Sequence, residues 1–241
     1  MKKGYREIFN DIKKKQFDRL YLFYGEEEYV KEQAMLQLTQ AIVTRDMAAL
    51  NHQVLDGDSV TADDIIYACE TLPFMAEKRL VVVKDLPVLM GTRTSFDEDR
   101  LKAYLSRLPD TTCLVFYCMG KINKRKSLYN AIQKLGQVVE FQLLKQNEIA
   151  KWIVSNLKRR NKKISSAALQ HFIDVAGNRL EKIYKELNKL VDYIGDNVYI
   201  TEEDIDTVVT PSAEYTIFQL IETVGTRNVG QAMYFLDRLL S

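Results

Sequence analysis

With 241 residues the chain is long enough for one large or two modest domains. Hydrophobic residues make up 46% and charged residues 28%, an ordinary globular mix. A net charge of +1 provides no global field towards nucleic acid or membrane, and no apolar run approaches the roughly 20 residues of a spanning helix.

The start, Met1-Lys-Lys-Gly-Tyr-Arg6, has no apolar h-region behind it and does not read as a signal peptide. Tyr5, Ile8, Phe9 and Ile12 form the stripe of a short amphipathic helix over 5–14. A strand is expected at 20–24, then a long helix from Glu26 carrying Val30, Ala34, Met35, Leu38 and Ile42. A second strand, 51–55, runs into the turn Asp56-Gly57-Asp58, and Thr61 with Asp64 forms a capping box for the next helix. The apolar run 79–84 suits a strand covered on both faces. A loop over 86–95, a helix over 97–108, a strand over 112–117, a helix over 127–135 and a strand over 137–141 follow. Five strands alternating with helices imply a parallel, doubly wound sheet.

From Leu144 no strand pattern is visible. Helices are expected at 146–160, 165–176 and 179–194, with Gly177 and Gly195 as stops, and a short one opens at Thr201-Glu-Glu-Asp204. Two more helical patterns, 215–224 and 228–240, follow Pro211; the second ends in an apolar pattern without a cap and reads as part of a third helical unit that is cut off. Three segments are therefore expected: an α/β domain over 1–143, a small helical domain over 144–210, and the beginning of a further helical domain over 211–241.

The residue inventory restricts the chemistry. Cys69, Cys113 and Cys118 are odd in number and form no CxxC, so buried reduced thiols of a cytoplasmic protein are expected. His52 and His171 are the only histidines and lie far apart in sequence, which disfavours a His-based metal site or triad. The turn after the first strand, Tyr24-Gly25-Glu26-Glu27-Glu28, stands where an NTP-binding α/β protein places its phosphate loop. It has one glycine and three carboxylates, with no Lys or Ser/Thr of a phosphate grip, and carboxylates repel a triphosphate.

The layout resembles that of AAA+ proteins, and the local sequences narrow it. Leu20-Tyr-Leu-Phe-Tyr-Gly-Glu-Glu-Glu-Tyr29, Glu70-Thr-Leu-Pro-Phe-Met-Ala-Glu-Lys-Arg-Leu-Val-Val-Val-Lys-Asp85, Leu114-Val-Phe116 with Lys124-Arg-Lys-Ser-Leu-Tyr129, and Asn178-Arg-Leu-Glu-Lys-Ile-Tyr-Lys-Glu-Leu-Asn-Lys-Leu190 resemble the delta subunit of the bacterial DNA polymerase III clamp loader. The resemblance implies an AAA+-like five-stranded parallel sheet without Walker A, a small all-α lid and a truncated helical collar. It implies a non-catalytic subunit of a DNA-directed DNA polymerase, a nucleotidyltransferase acting in DNA replication. The subunit would need no cofactor or metal, ATP being bound by other loader subunits. Its implied partners are the sliding clamp (the beta subunit), whose ring it opens for loading on primed DNA, other loader subunits through the collar, and primer–template DNA. No membrane partner is implied.

The segment Leu72-Pro73-Phe74-Met75 follows a helix that Pro73 cannot extend. Glu70, Glu77, Lys78 and Arg79 rim it, giving the makeup of a protein interaction hot spot. Residues alone favour Leu72 and Phe74 as a helix–strand corner capping the core, since most Leu and Phe are buried. The resemblance reverses this for Phe74 and implies a clamp-contacting wedge of Phe74 with Leu72 or Met75. Candidate contacts to DNA or a subunit are Lys124 and Arg125, which also read as a solvated turn with Lys121, Asn123 and Lys126. Lys158, Arg159, Arg160, Lys162 and Lys163 form the strongest basic cluster, at a helix end where cations are favourable anyway. Trp152 lies at core spacing with Ile149 and Ile153. The alternatives are an active P-loop-type NTPase, for which the grip is missing, a Mg²⁺-dependent nuclease built on Glu26, Asp56, Asp58 and Asp85 at strand ends, and a clamp-binding module unconnected to the loader.

Overall fold

The computed structural model describes residues 2–3, 5–92 and 94–240. The chain divides into two compact units, 1–143 and 144–241.

The first unit opens with β1 (Lys2–Lys3), α1 (Tyr5–Lys13), β2 (Leu20–Tyr24), α2 (Glu28–Ile42), a 3-10 turn at Arg45–Met47, α3 (Ala48–Asn51), β3 (His52–Asp56) and α4 (Ala62–Glu70). It continues through β4 (Arg79–Lys84), α5 (Pro87–Met90), α6 (Glu98–Leu105), β5 (Thr112–Tyr117), α7 (Ser127–Leu135) and β6 (Gln137–Glu140). The six strands run β1-β6-β2-β5-β4-β3 across one sheet, with every pair parallel. The strand beyond the expected five is β1, whose two residues pair with Val138 and Val139 and are too few to show a periodicity. The expected loop at 86–95 contains α5, for which Pro87 supplies the first helical residue.

Strand periodicity distributes the core. Leu20, Leu22, Val81, Val83, Leu114 and Phe116 gather with Ile65 of α4, Leu101 and Leu105 of α6, and Leu128 and Ile132 of α7. The alternate residues, among them Tyr21, Phe23, Leu80, Val82 and Val115, are equally buried. Burial on both sides explains the unbroken apolar runs of β2, β4 and β5. Thr61 and Asp64 form the expected capping box at α4. The thiols of Cys69, Cys113 and Cys118 are free and buried; burial pushes those of Cys69 and Cys118 up to about 12.

The second unit contains α8 (Gln146–Arg159), β7 (Lys163–Ile164), α9 (Ser166–Ala176), α10 (Leu180–Ile194), β8 (Tyr199–Ile200), α11 (Glu202–Val208), α12 (Ala213–Gly225) and α13 (Val229–Leu240). It is therefore not wholly helical: β7 and β8 pair in parallel, in pieces of two residues that carry no strand pattern. Trp152 is half-buried, its ring edge-on to Tyr184 at 6.2 Å. The last two helices pack on each other and leave Phe218, Ile221, Val224, Val229, Met233 and Leu240 exposed.

The carboxyl edge of the sheet is held by one side chain. Lys31 of α2 is fully buried, and its Nζ donates to the carbonyls of Gly25 at 3.1 Å and Cys118 at 2.8 Å, and to Glu28 Oε1 at 2.7 Å. It also lies 4.9 Å from the centroid of the Tyr117 ring. Gly25 makes the closure possible: its φ is +131°, and a Cβ there would stand 2.1 Å from the Phe141 carbonyl oxygen. Lys31→Ala strands these buried acceptors and should lower the unfolding free energy by about 3 kcal/mol in urea titrations. A loss below about 1 kcal/mol would show that the contact is dispensable.

His52 opens the edge strand β3. Burial, reinforced by the Lys84 ammonium, holds its imidazole below the ordinary value. The folded chain then resists protonation more than the unfolded one, so His52 costs nothing at alkaline pH and subtracts stability as pH falls through the unfolded value of about 6.5. Melting temperature should fall between about pH 7.5 and 5.5, and His52→Gln should shrink that fall; an unchanged slope would remove His52 as its source.

Candidate functional site

Two edges of the first unit carry candidate chemistry, at opposite ends of its parallel strands. At the carboxyl edge, residues following β2, β5 and β6 line a cleft of about 700 Å³. This is where an open α/β sheet places its ligands. Here the loop that would cradle phosphates is already used by the protein. The N–H groups of Gly25, Glu27 and Glu28 donate to the carbonyls of Gly120, Phe141 and Glu26. Lys31, the first lysine after the turn, faces inward as described. Glu26 pairs with Lys121 at 3.1 Å. Lys124 pairs with Glu140 at 3.0 Å and lies over the Tyr24 ring. Arg125 is exposed beside it on the rim of the cleft.

The carboxylates of the nuclease alternative do not converge. Asp85 accepts from the Met119 N–H at 2.6 Å, Asp56 from the Asp58 N–H at 3.1 Å, and Glu26 holds Lys121. Among the described residues no group of three His, Cys, Asp or Glu side chains could hold a metal ion.

At the amino edge, the loop between α4 and β4 displays Leu72–Met75. Leu72 is 78% exposed, Phe74 53% and Met75 81%, while Pro73 is half-buried. The core-capping reading of this corner is thereby excluded for Leu72 and Phe74. An apolar loop this exposed would ordinarily fold back on the protein; here polar tethers hold its backbone in place. Asn51, fully buried, donates from Nδ2 to the Phe74 carbonyl at 2.8 Å and accepts the Phe74 N–H on Oδ1 at 2.7 Å. Arg79, also buried, donates from Nη1 to the Thr71 carbonyl at 3.1 Å and from Nη2 to Gln53 Oε1 at 3.0 Å. Upstream, Thr112 Oγ1 donates to the Cys69 carbonyl at 2.7 Å. Met75 adopts a left-handed backbone, φ 49°.

Sequence reasoning missed Asn51 and misjudged Arg79. Asn51 stands before a strand and Arg79 at the start of one, among charges that read as a rim. Their partners are 23 and 8 residues away and lie in the loop after α4, outside the element that carries either residue, so no helical or strand period reveals them.

The basic cluster in the second unit separates into two roles. Lys162 donates to the carbonyls of Gly195 and Asn197, and Lys163 lies over the Tyr199 ring at 5.6 Å, so both brace the β7–β8 pair. Lys158 and Arg159 are exposed at the end of α8, and Arg160, half-buried, is its cap.

A family model for the DNA polymerase III delta subunit matches residues 21–142, the strands and loops just described. The chain belongs to the DNA polymerase III delta subunit family. It is 28% identical to DNA polymerase III subunit delta of Bacillus subtilis over 97% of its own length and 69% of that protein's. It is 22% identical to the probable delta subunit of Aquifex aeolicus, of whose length it spans 64%. In structure it is similar to the Bacillus subtilis DNA clamp loader delta protein, with a TM-score of 0.76 over 98% of this chain and 71% of that one. The RuvB Holliday junction branch migration motor of Thermotoga maritima shares the fold, with a TM-score of 0.52 at 11% identity over 83% of this chain and 64% of that one. Delta-family membership and the AAA+-like architecture are thus established together.

Exposure of Leu72 has a direct consequence for stability. Leu72→Ala should change the unfolding free energy by no more than about 0.5 kcal/mol, whereas a buried leucine would cost about 2–5 kcal/mol. A loss in the second range would return Leu72 to the core.

Proposed function

We propose that this chain acts as the clamp-contacting subunit of a DNA polymerase III clamp loader, gripping the sliding clamp through Leu72, Phe74 and Met75. The observation that carries the reading is the exposure of these apolar side chains on a loop whose backbone is fixed, within a chain of the delta family. Burying Leu72 and Phe74 in a partner would contribute about 3–6 kcal/mol before association costs. In this reading part of that energy loosens one interface of the clamp ring, so the action is mechanical.

We further infer that the chain binds no nucleotide of its own, other loader subunits supplying ATP hydrolysis. The occupied backbone N–H groups of Gly25, Glu27 and Glu28 and the inward amine of Lys31 support this. We read residues 144–210 as the lid and α12 with α13 as part of a collar that holds the loader together, on the strength of the apolar face those helices leave uncovered. Among the described residues no helix is long and apolar enough to cross a membrane, and the proposed work is done in the cytoplasm, at the replication machinery.

The test is surface plasmon resonance against the cognate sliding clamp. Phe74→Ala should weaken binding by at least about tenfold, and Leu72→Ala/Phe74→Ala should abolish it. Unchanged binding by the double variant would move the contact elsewhere, and no binding by the unmutated chain would refute the proposal.

A further inference from the structure

We infer that Asn51 is the positioning residue of the contact loop, fixing the Phe74 backbone so that the ring is presented before any partner arrives. The inference rests on the clamp-contact reading above.

The geometry is specific. Both backbone polar groups of Phe74 are taken by one buried amide, at 2.7 and 2.8 Å. The reciprocal pair holds both peptide planes that flank the Phe74 Cα, where a single bond would leave one of them free to turn. Only a carboxamide supplies a donor and an acceptor in one plane on a short side chain; Asp lacks the donor and Ser the reach. Asn51 is itself well anchored. It closes α3 and directly precedes His52, the first residue of β3, whose ladder to β4 begins at His52–Leu80. The latch is therefore carried by the sheet, not by another loop.

The rest of the segment needs such a latch. Arg79 holds Thr71 on one side of the apolar residues, and Asn51 holds Phe74 on the other. Immediately beyond, Met75 takes a left-handed backbone that a non-glycine residue keeps only where its surroundings over-determine it. Without Asn51, Phe74 would sample many orientations, and the cost of ordering it would fall on the binding step. A purely structural Asn51, satisfying buried polar groups and no more, would affect stability but not the clamp.

The experiment compares the full chain with Asn51→Ala, Asn51→Asp and Phe74→Ala, at a temperature where unfolding curves show each to be folded. Clamp binding is measured by surface plasmon resonance, and amide hydrogen exchange is followed at Phe74. Asn51→Ala should weaken clamp binding by about tenfold and speed exchange at Phe74. Asn51→Asp, which keeps the acceptor for the Phe74 N–H but sets a second oxygen against the Phe74 carbonyl, should keep part of the protection and fall between in affinity. If Asn51→Ala does not fold, the Asp variant alone must show that intermediate loss. Parental affinity in the Asn51 variants, with binding lost in Phe74→Ala, overturns the positioning role and leaves the contact site intact. Parental affinity in Phe74→Ala overturns the contact site, and the positioning role with it.

Discussion

One ammonium group closes the edge of the sheet on which the chemistry of such folds usually depends. Lys31 reaches from α2 to the carbonyls of Gly25 and Cys118, at the ends of the neighbouring strands β2 and β5. The carbonyls gain a charged donor, and the buried cation gains two acceptors beside the carboxylate of Glu28. Each solves the other's problem. Separately, the N–H groups of Gly25, Glu27 and Glu28 are spent on the carbonyls of Gly120, Phe141 and Glu26, so the turn after β2 is tied into the protein's own backbone.

The amino edge shows the converse arrangement. There the polar groups lie beneath and the apolar groups outside. Asn51, Arg79 and Thr112 are buried and hydrogen-bond the backbone of the loop and its approach, Arg79 also holding the Gln53 side chain. Because backbone and not side chain is held, Leu72, Phe74 and Met75 are left uncommitted. Exposed apolar side chains on a rigid base lose little freedom on docking, which is what makes such a patch suited to a partner. The two edges are joined by strands buried on both faces, and the loop leads directly into one of them, β4.

The basic residues illustrate why charge in a sequence is a poor guide to a partner. Of the run from Lys158 to Lys163, two side chains brace a two-residue strand pair through loop carbonyls and a tyrosine ring, while Lys158 and Arg159 stay in solvent. Lys124 similarly answers Glu140. A lysine's long stem lets it serve a local carbonyl or carboxylate as readily as a phosphate, and only the fold shows which is within reach.

The elements with a period were legible from residues alone. The five long strands, the longer helices of both units, the capping box at Thr61 and the missing phosphate grip all follow from apolar spacing, turn chemistry and composition, which act over a few residues; the four-residue helices α3 and α5 do not. Family likeness came from those same local segments. The two-residue strands β1, β7 and β8 escaped because a period of two cannot register in two residues. The exposure of Leu72 and Phe74, which the resemblance implied and the residues alone did not, the inward turn of Lys31 and the Asn51 latch lie beyond local pattern for a different reason. Each depends on a partner brought close by the fold, 87 residues away for Lys31 and Cys118 and 23 for Asn51 and Phe74. Local pattern determined what this chain builds. Only the packed sheet decided which polar groups meet, and therefore which apolar ones are left facing out.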